Sequence, residues 1–281
     1  MHEYMVVNSF SSQKLLGNPV AVFLACDDLG IQTMQKLAHE LHLSETTFVL
    51  QPQHGGDARV RIFTPVNELA FAGHPLLGTA LVLALRLGRE TLAVETAKGT
   101  FIFKVSDLEN GSESSVAHIE MEQPSPECKR YERAGDLLDA LGVESSLLPI
   151  EIYDVGPRHV FVAVADVDEL SAVSPDLKAL ATHENMAAIC FCRDADTWRM
   201  RMFSPAYGVN EDAATGSAAG PLALHLARHG VAEYGTRIDI LQGVEIGRPS
   251  YMYGVAERNN GNIRLAAGGF AITVAQGKYF I

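Results

Sequence analysis

Four polar side chains in this chain stand where acid–base chemistry on a small anion is feasible: Glu45, His74, Asp212 and Ser217. His74 follows Gly73 in NELAFAGHPLLG, and Ser217 follows Gly216 in GVNEDAATGSAAG, each just ahead of an apolar run of helical period. A helix start leaves backbone N–H groups unpartnered and carries positive partial charge, so two such starts facing one cleft would hold a carboxylate. Glu45, in LHLSETTFVL, lies between a helical pattern and an apolar strand. Partial burial there would raise its pKa toward the range a proton carrier needs. Each residue also has an ordinary reading: Glu45 as an exposed turn acid, His74 as a structural histidine, Asp212 as a solvated turn acid, and the glycine motifs as plain helix caps.

Duplication favours a shared site. Shifting the chain by 143 residues lays VNELAFAGHPLLGTALVLAL (66–85) over VNEDAATGSAAGPLALHLAR (209–228), with nine of twenty positions identical. Upstream, RIFTP (61–65) matches RMFSP (201–205), with AYG inserted in the second copy. The order R-x-F-[ST]-P, V-N-E, Gly and then an apolar helix is hard to obtain by chance, so the chain reads as two copies of one unit. The copies differ where chemistry would need them to: His74 lies over Ser217, Leu69 over Asp212 and Glu45 over Ala188, while Phe48 lies over Phe191.

The elements that must position these residues are legible in outline. Period-two segments such as EYMVVNSF, NPVAVFLA, ARVRIF, AHIEMEQ, RHVFVAVAD and TWRMRMF read as strands. Helical period appears in DLGIQTMQKLAHEL, PLLGTALVLALRLG, ERAGDLLDALGV, PDLKALATHE and GPLALHLARHG. The class is α+β with mostly antiparallel sheets. MEQPSPE (121–127) is the linker candidate, giving halves of 1–125 with Glu45 and His74, and 126–281 with Asp212 and Ser217.

A net charge of −12 and a pI near 5.2 argue against nucleic acid or an anionic membrane as partner. The start MHEYMVVNSF lacks the basic and apolar regions of a signal peptide, and no apolar run approaches the ~20 residues of a membrane span. Four cysteines without a CxxC pair fit a reduced, cytoplasmic setting. His39, His42, His225 and His229 read as residues of helical surfaces rather than metal ligands, and no nucleotide-binding or nucleophile-elbow motif is visible. The chemistry expected is proton transfer by side chains, with no cofactor and no metal.

GNPVAVFLA, LSETTFVL, RIFTPVNELAFAGHPLLGTA and SPAYGVNEDAATGSAAGPLA resemble the PhzF-like family of phenazine biosynthesis, and IEIYDVGPRHVFVAV and ILQGVEIGRPS extend the likeness. The resemblance implies the diaminopimelate-epimerase-like fold, in which two pseudo-symmetric halves each wrap a curved sheet or barrel around a central helix. The site then lies between the halves. It also implies a homodimer without cofactor that converts trans-2,3-dihydro-3-hydroxyanthranilate to a reactive aminoketone, which dimerises toward the phenazine skeleton. On that resemblance Glu45 carries a proton from ring C3 to C1 on one face. His74 and Asp212 orient the substrate, and Ser217 with the N–H groups around Gly73 and Gly216 holds its carboxylate. Racemases related to diaminopimelate epimerase use a thiol from each half, whereas His74 and Ser217 stand at the paired positions here. Two readings stay open beside this one: an isomerase or epimerase of another small carboxylic acid, and a non-catalytic carboxylate-binding protein.

Overall fold

In a computed structural model, which describes residues 1–281, the chain opens with β1 (His2–Ser9), β2 (Asn18–Phe23), α1 (Ile31–Leu41), β3 (Glu45–Leu50), β4 (Ala58–Phe63) and β5 (Glu68–Leu69). It continues with α2 (Gly73–Leu87), β6 (Thr91–Thr96), β7 (Gly99–Asn110), β8 (Ser115–Gln123) and β9 (Glu127–Arg130). Then come α3 (Ala134–Leu141), β10 (Glu151–Asp154), β11 (Arg158–Ala163), α4 (Val167–Ala172), α5 (Leu177–Leu180), β12 (Ala187–Asp194) and β13 (Thr197–Ser204). A 3₁₀ turn at Pro205–Tyr207 leads to β14 (Val209–Asp212), α6 (Gly216–Arg228), β15 (Arg237–Gln242), β16 (Ser250–Asn259) and β17 (Asn262–Tyr279).

Strand pairing repeats itself. β2 runs parallel to β3, and β4 parallel to β6 across α2; β11 runs parallel to β12, and β13 parallel to β15 across α6. The remaining pairs are antiparallel. The first ring closes in the order β1, β2, β3, β4, β6, β7, β8, β17 and back to β1. The second runs β9, β10, β11, β12, β13, β15, β16, β17. β17 spans both rings, pairing with β16 and β8 near its start and with β1 near its end. Its counterpart is the β8–β9 segment, which pairs with β17 and then with β10. Prolines 124 and 126 interrupt that segment, because a residue without an N–H cannot serve a continuous ladder. The linker candidate is therefore the short break between two strands that cross from ring to ring.

Each ring encloses one helix. Every residue from Gly73 to Ala84 in α2 and from Gly216 to Leu226 in α6 is buried, as expected of helices wrapped on all sides by sheet. This corrects the surface placement of His225: the helix has no solvent face there, and the residue is 0% exposed. One buried apolar cluster passes through both rings, and smaller ones lie under α1 and under α3 to α5.

The repeat needs a one-residue correction at β3 and β12. The hairpin pairs Thr46 with Phe63 in the first copy and Ala188 with Phe203 in the second. Phe48 packs outward under α1, whereas Phe191 packs inward beside α6. Because strand faces alternate, a slip of one residue exchanges inside for outside. The partner of Glu45 across the pseudo-symmetry is thus Ala187, which lines the cleft, and not Ala188, which faces outward.

Candidate active site

The two glycine-led helix starts touch. A Cβ added at Gly73 would collide with the backbone nitrogen of Ser217 and lie 2.5 Å from Gly216 C. A Cβ at Gly216 would collide with the Phe10 ring and fall 3.3 Å from the His74 nitrogen. Only glycine allows this approach, and it aims both first turns at one point. Neither helix has a side-chain N-cap, so the leading N–H groups are free to face an anion. Pro221 lies inside α6. Gln123 inserts into that helix's first turn, donating from Nε2 to Gly216 O and accepting from Gly220 N, both at 2.9 Å. It replaces one internal hydrogen bond of α6 with a tie from β8.

The structure brings all four sequence-nominated side chains to one cleft, together with Gly73 and Gly216. Glu45 opens β3 and His74 is the second residue of α2. Asp212 ends β14 and Ser217 is the second residue of α6. His74 Nε2 stands 3.1 Å from Glu45 Oε2, off the line of a hydrogen bond, and neither atom has a partner elsewhere. Burial, then the nearby charge of Asp212, raise the Glu45 pKa well above the ordinary carboxyl value. Burial lowers the His74 pKa to about 3, so its ring is neutral.

Asp212 is buried too, but well supplied with donors. Its Oδ1 accepts from Asn18 Nδ2 at 2.7 Å and its Oδ2 from Thr215 Oγ1 at 2.8 Å. Burial still raises its pKa to about 6, against the lowering effect of Thr215 and Asn18. The two carboxyl groups therefore differ in kind. Asp212 has the hydrogen bonds that support an anion, while Glu45 has none and sits beside that negative charge. Such a pair separates into a fixed anion and a group ready to exchange its proton.

Several site residues escaped the sequence reading. Asn18 lay within the quoted GNPVAVFLA, yet nothing in its neighbourhood marked it. Gln242 donates to Asp212 O and Thr215 Oγ1 and accepts from Thr215 N, holding the turn between β14 and α6. His159, on β11, lies 3.1 Å from Ser217 Oγ. Tyr207 also lines the cleft, and here a signal existed, since it belongs to the AYG insertion that distinguishes the second copy. The free cavity is about 40 Å³, room for a water or two, so a six-membered ring enters only if the walls part.

None of the four cysteines is among the cleft-lining residues, and burial pushes Cys26 and Cys190 up to about 12. A two-thiol epimerisation has no groups to perform it here. One cluster of metal-ligand types lies outside the cleft: Glu151, His225 and His229, with ligating atoms within 4.8 Å of one another. No local pattern could show this, because Glu151 comes from a distant strand. Glu151 already accepts from Tyr153 at 2.7 Å and faces Arg228 at 3.3 Å, so a second cation would meet a carboxylate that is already compensated.

A family model described as phenazine biosynthesis-like protein (PhzC-PhzF) matches residues 7–277. The chain belongs to that family. Among curated members of the phenazine biosynthesis-like proteins, it is 55% identical over 257 residues to trans-2,3-dihydro-3-hydroxyanthranilate isomerase of Pseudomonas aeruginosa, covering 92% of this chain and 91% of the relative. To the protein of the same name from Pseudomonas fluorescens it is 53% identical, covering 99% of both chains. A crystal structure of a Bacillus anthracis phenazine biosynthesis protein of the PhzF family superposes with a TM-score of 0.86 at 24% identity, covering 100% of this chain and 99% of the other. A probable proline racemase from Agrobacterium radiobacter superposes at 0.65 with 12% identity, over 100% and 93% of the two chains, which extends the shared fold to racemases. No helix is long and apolar enough to cross a membrane.

Proposed function

We propose that this phenazine biosynthesis-like protein is a trans-2,3-dihydro-3-hydroxyanthranilate isomerase. The observation that carries the substrate is the identity of 53% over 99% of both chains with a relative named for that reaction. In the reaction the C3–H bond breaks, the electron pair moves through the ring's diene, and a C–H bond forms at C1. The enol left at C3 then becomes the ketone. Glu45 is the group that takes the proton and returns one on the same face. Its environment supports this: burial without hydrogen-bond partners holds the Glu45 carboxyl well above its ordinary pKa, which favours a group that holds and returns a proton.

Asp212, held ionised by its donors, faces the substrate's amino or hydroxyl group, and neutral His74 steadies the Glu45 carboxyl and the developing enol. Gly73, Gly216 and Ser217 receive the carboxylate through first-turn N–H groups and the Ser217 hydroxyl. The two rings of strands, built mainly from residues 1–125 and 126–281 and sharing β17, act as the two walls that part and close over the substrate's ring. The same reading makes the protein a cytoplasmic homodimer that acts on a small molecule without a cofactor, its product coupling onward toward phenazines.

The test is direct. Incubation with trans-2,3-dihydro-3-hydroxyanthranilate, followed by ultraviolet and proton magnetic resonance spectra, will show loss of the diene and appearance of a ketone. An unchanged spectrum would redirect the assignment to another small carboxylic acid.

A further inference from the structure

His159 has no place in the proton traffic, yet it is 1% exposed and lines the cleft. It sits on β11, where Phe161 and Ala163 point toward α6 while Val160 and Val162 point away. Strand alternation therefore places His159 on the inner face, level with the first turn of α6. Its Nε2 lies 3.1 Å from Ser217 Oγ, and its Nδ1 has no partner.

Only one proton arrangement serves an anion. If Nδ1 carried the ring proton, a buried N–H would have no acceptor, a rare defect, and the Ser217 proton would be spent on Nε2. If Nε2 carries it, the ring donates to Ser217 Oγ and the hydroxyl proton is free to turn toward the cleft. We propose that His159 is a positioning residue that directs the Ser217 hydroxyl at the substrate's carboxylate, and so tunes selection for a ring bearing that group. Burial keeps the ring neutral, its pKa lowered to about 3, so the imidazole adds direction without adding charge. The inference rests on the functional reading above, because it needs a carboxylate at the paired helix starts.

Binding of two ring compounds tests it: 3-hydroxyanthranilate, and 2-aminophenol, which is the same ring without the carboxylate. Asparagine at this position is too short to reach Ser217, whereas glutamine carries an amide to the position of Nε2. His159→Asn is expected to weaken 3-hydroxyanthranilate by about tenfold, the loss of one oriented hydrogen bond. It should leave 2-aminophenol unchanged, raise KM more than it lowers kcat, and add nothing in a Ser217→Ala background. His159→Gln should restore binding to within about twofold of the unmodified protein. Equal losses for both compounds, no rescue by glutamine, or additivity with Ser217→Ala would overturn the proposal. If His159→Asn does not fold, His159→Leu is read the same way. An unmodified protein that binds neither compound and turns over no substrate removes the functional reading, and the proposal with it; turnover with unselective variants removes the proposal alone.

Discussion

The side-chain nitrogen of Asn18 lies 3.2 Å from His74 Nδ1, and the same nitrogen reaches Asp212 Oδ1 at 2.7 Å and Ala214 O at 2.9 Å. The amide's two N–H groups serve three acceptors, the longer contact to His74 Nδ1 sharing a hydrogen, so the amide must present its nitrogen; the flipped amide would set an oxygen against a carboxylate and a carbonyl. Accepting at Nδ1 leaves the His74 proton on Nε2, the atom that faces Glu45. Asn18 thus ties the fixed anion of one half to the imidazole of the other.

Replacing Asn18 by leucine should release both. Nitrogen-15 resonances of His74 are expected to report the Nε2–H tautomer in the unmodified protein and a mixture in the variant, with kcat lowered at least about tenfold. A retained single tautomer would separate Asn18 from the ring's orientation.

Gly73→Ala should be costly. Its methyl would press on backbone atoms of Gly216 and Ser217 that cannot rotate aside, so a loss of about 1–3 kcal/mol is expected, together with loss of carboxylate binding. Gly135→Ala, in α3 with nothing within 4 Å, should instead leave stability equal or improved by about 0.5–1 kcal/mol. Thermal unfolding of the two variants decides; similar midpoints would mean that the helix starts are not packed as described.

Burial also sets a pH dependence. The His159 pKa is lowered to about 3, so the folded ring stays neutral while the unfolded one takes a proton below about 6.5. Its stabilising effect is therefore complete above 6.5 and lost as pH falls toward 3. Asp212, raised to about 6, works in the opposite direction: its contribution is complete below about 4 and lost as pH rises through 6. Comparison with His159→Gln isolates the histidine. Between pH 7.5 and 5.0 the unmodified protein should lose about 2 kcal/mol relative to the variant in urea unfolding. A constant difference would mean that the imidazole takes up a proton in the fold as readily as in the unfolded chain.

What the sequence revealed follows from which signals are local. The doubled R-x-F-[ST]-P…V-N-E…Gly pattern exposed two copies, the central helices, His74, Asp212 and Ser217, while Glu45 stood out at the boundary between a helical pattern and an apolar strand. A helix start announces itself within a few residues of chain. Asn18, His159 and Gln242 sit singly in strands, and their meaning comes from long-range register that no local pattern encodes. The Ala188 alignment failed for a related reason: identity scoring does not see which face a strand residue takes. His225 was misplaced because helical period implies a wet face only when solvent, not a second layer of sheet, lies beyond it.

The central claim is that Glu45 carries the proton. The most direct measurement is turnover of trans-2,3-dihydro-3-hydroxyanthranilate by Glu45→Gln, alongside its affinity for 3-hydroxyanthranilate. Glutamine keeps the size and loses the exchangeable acid, so turnover should fall by about a thousandfold or more while affinity stays within about threefold. Turnover near that of the unmodified protein would contradict the account.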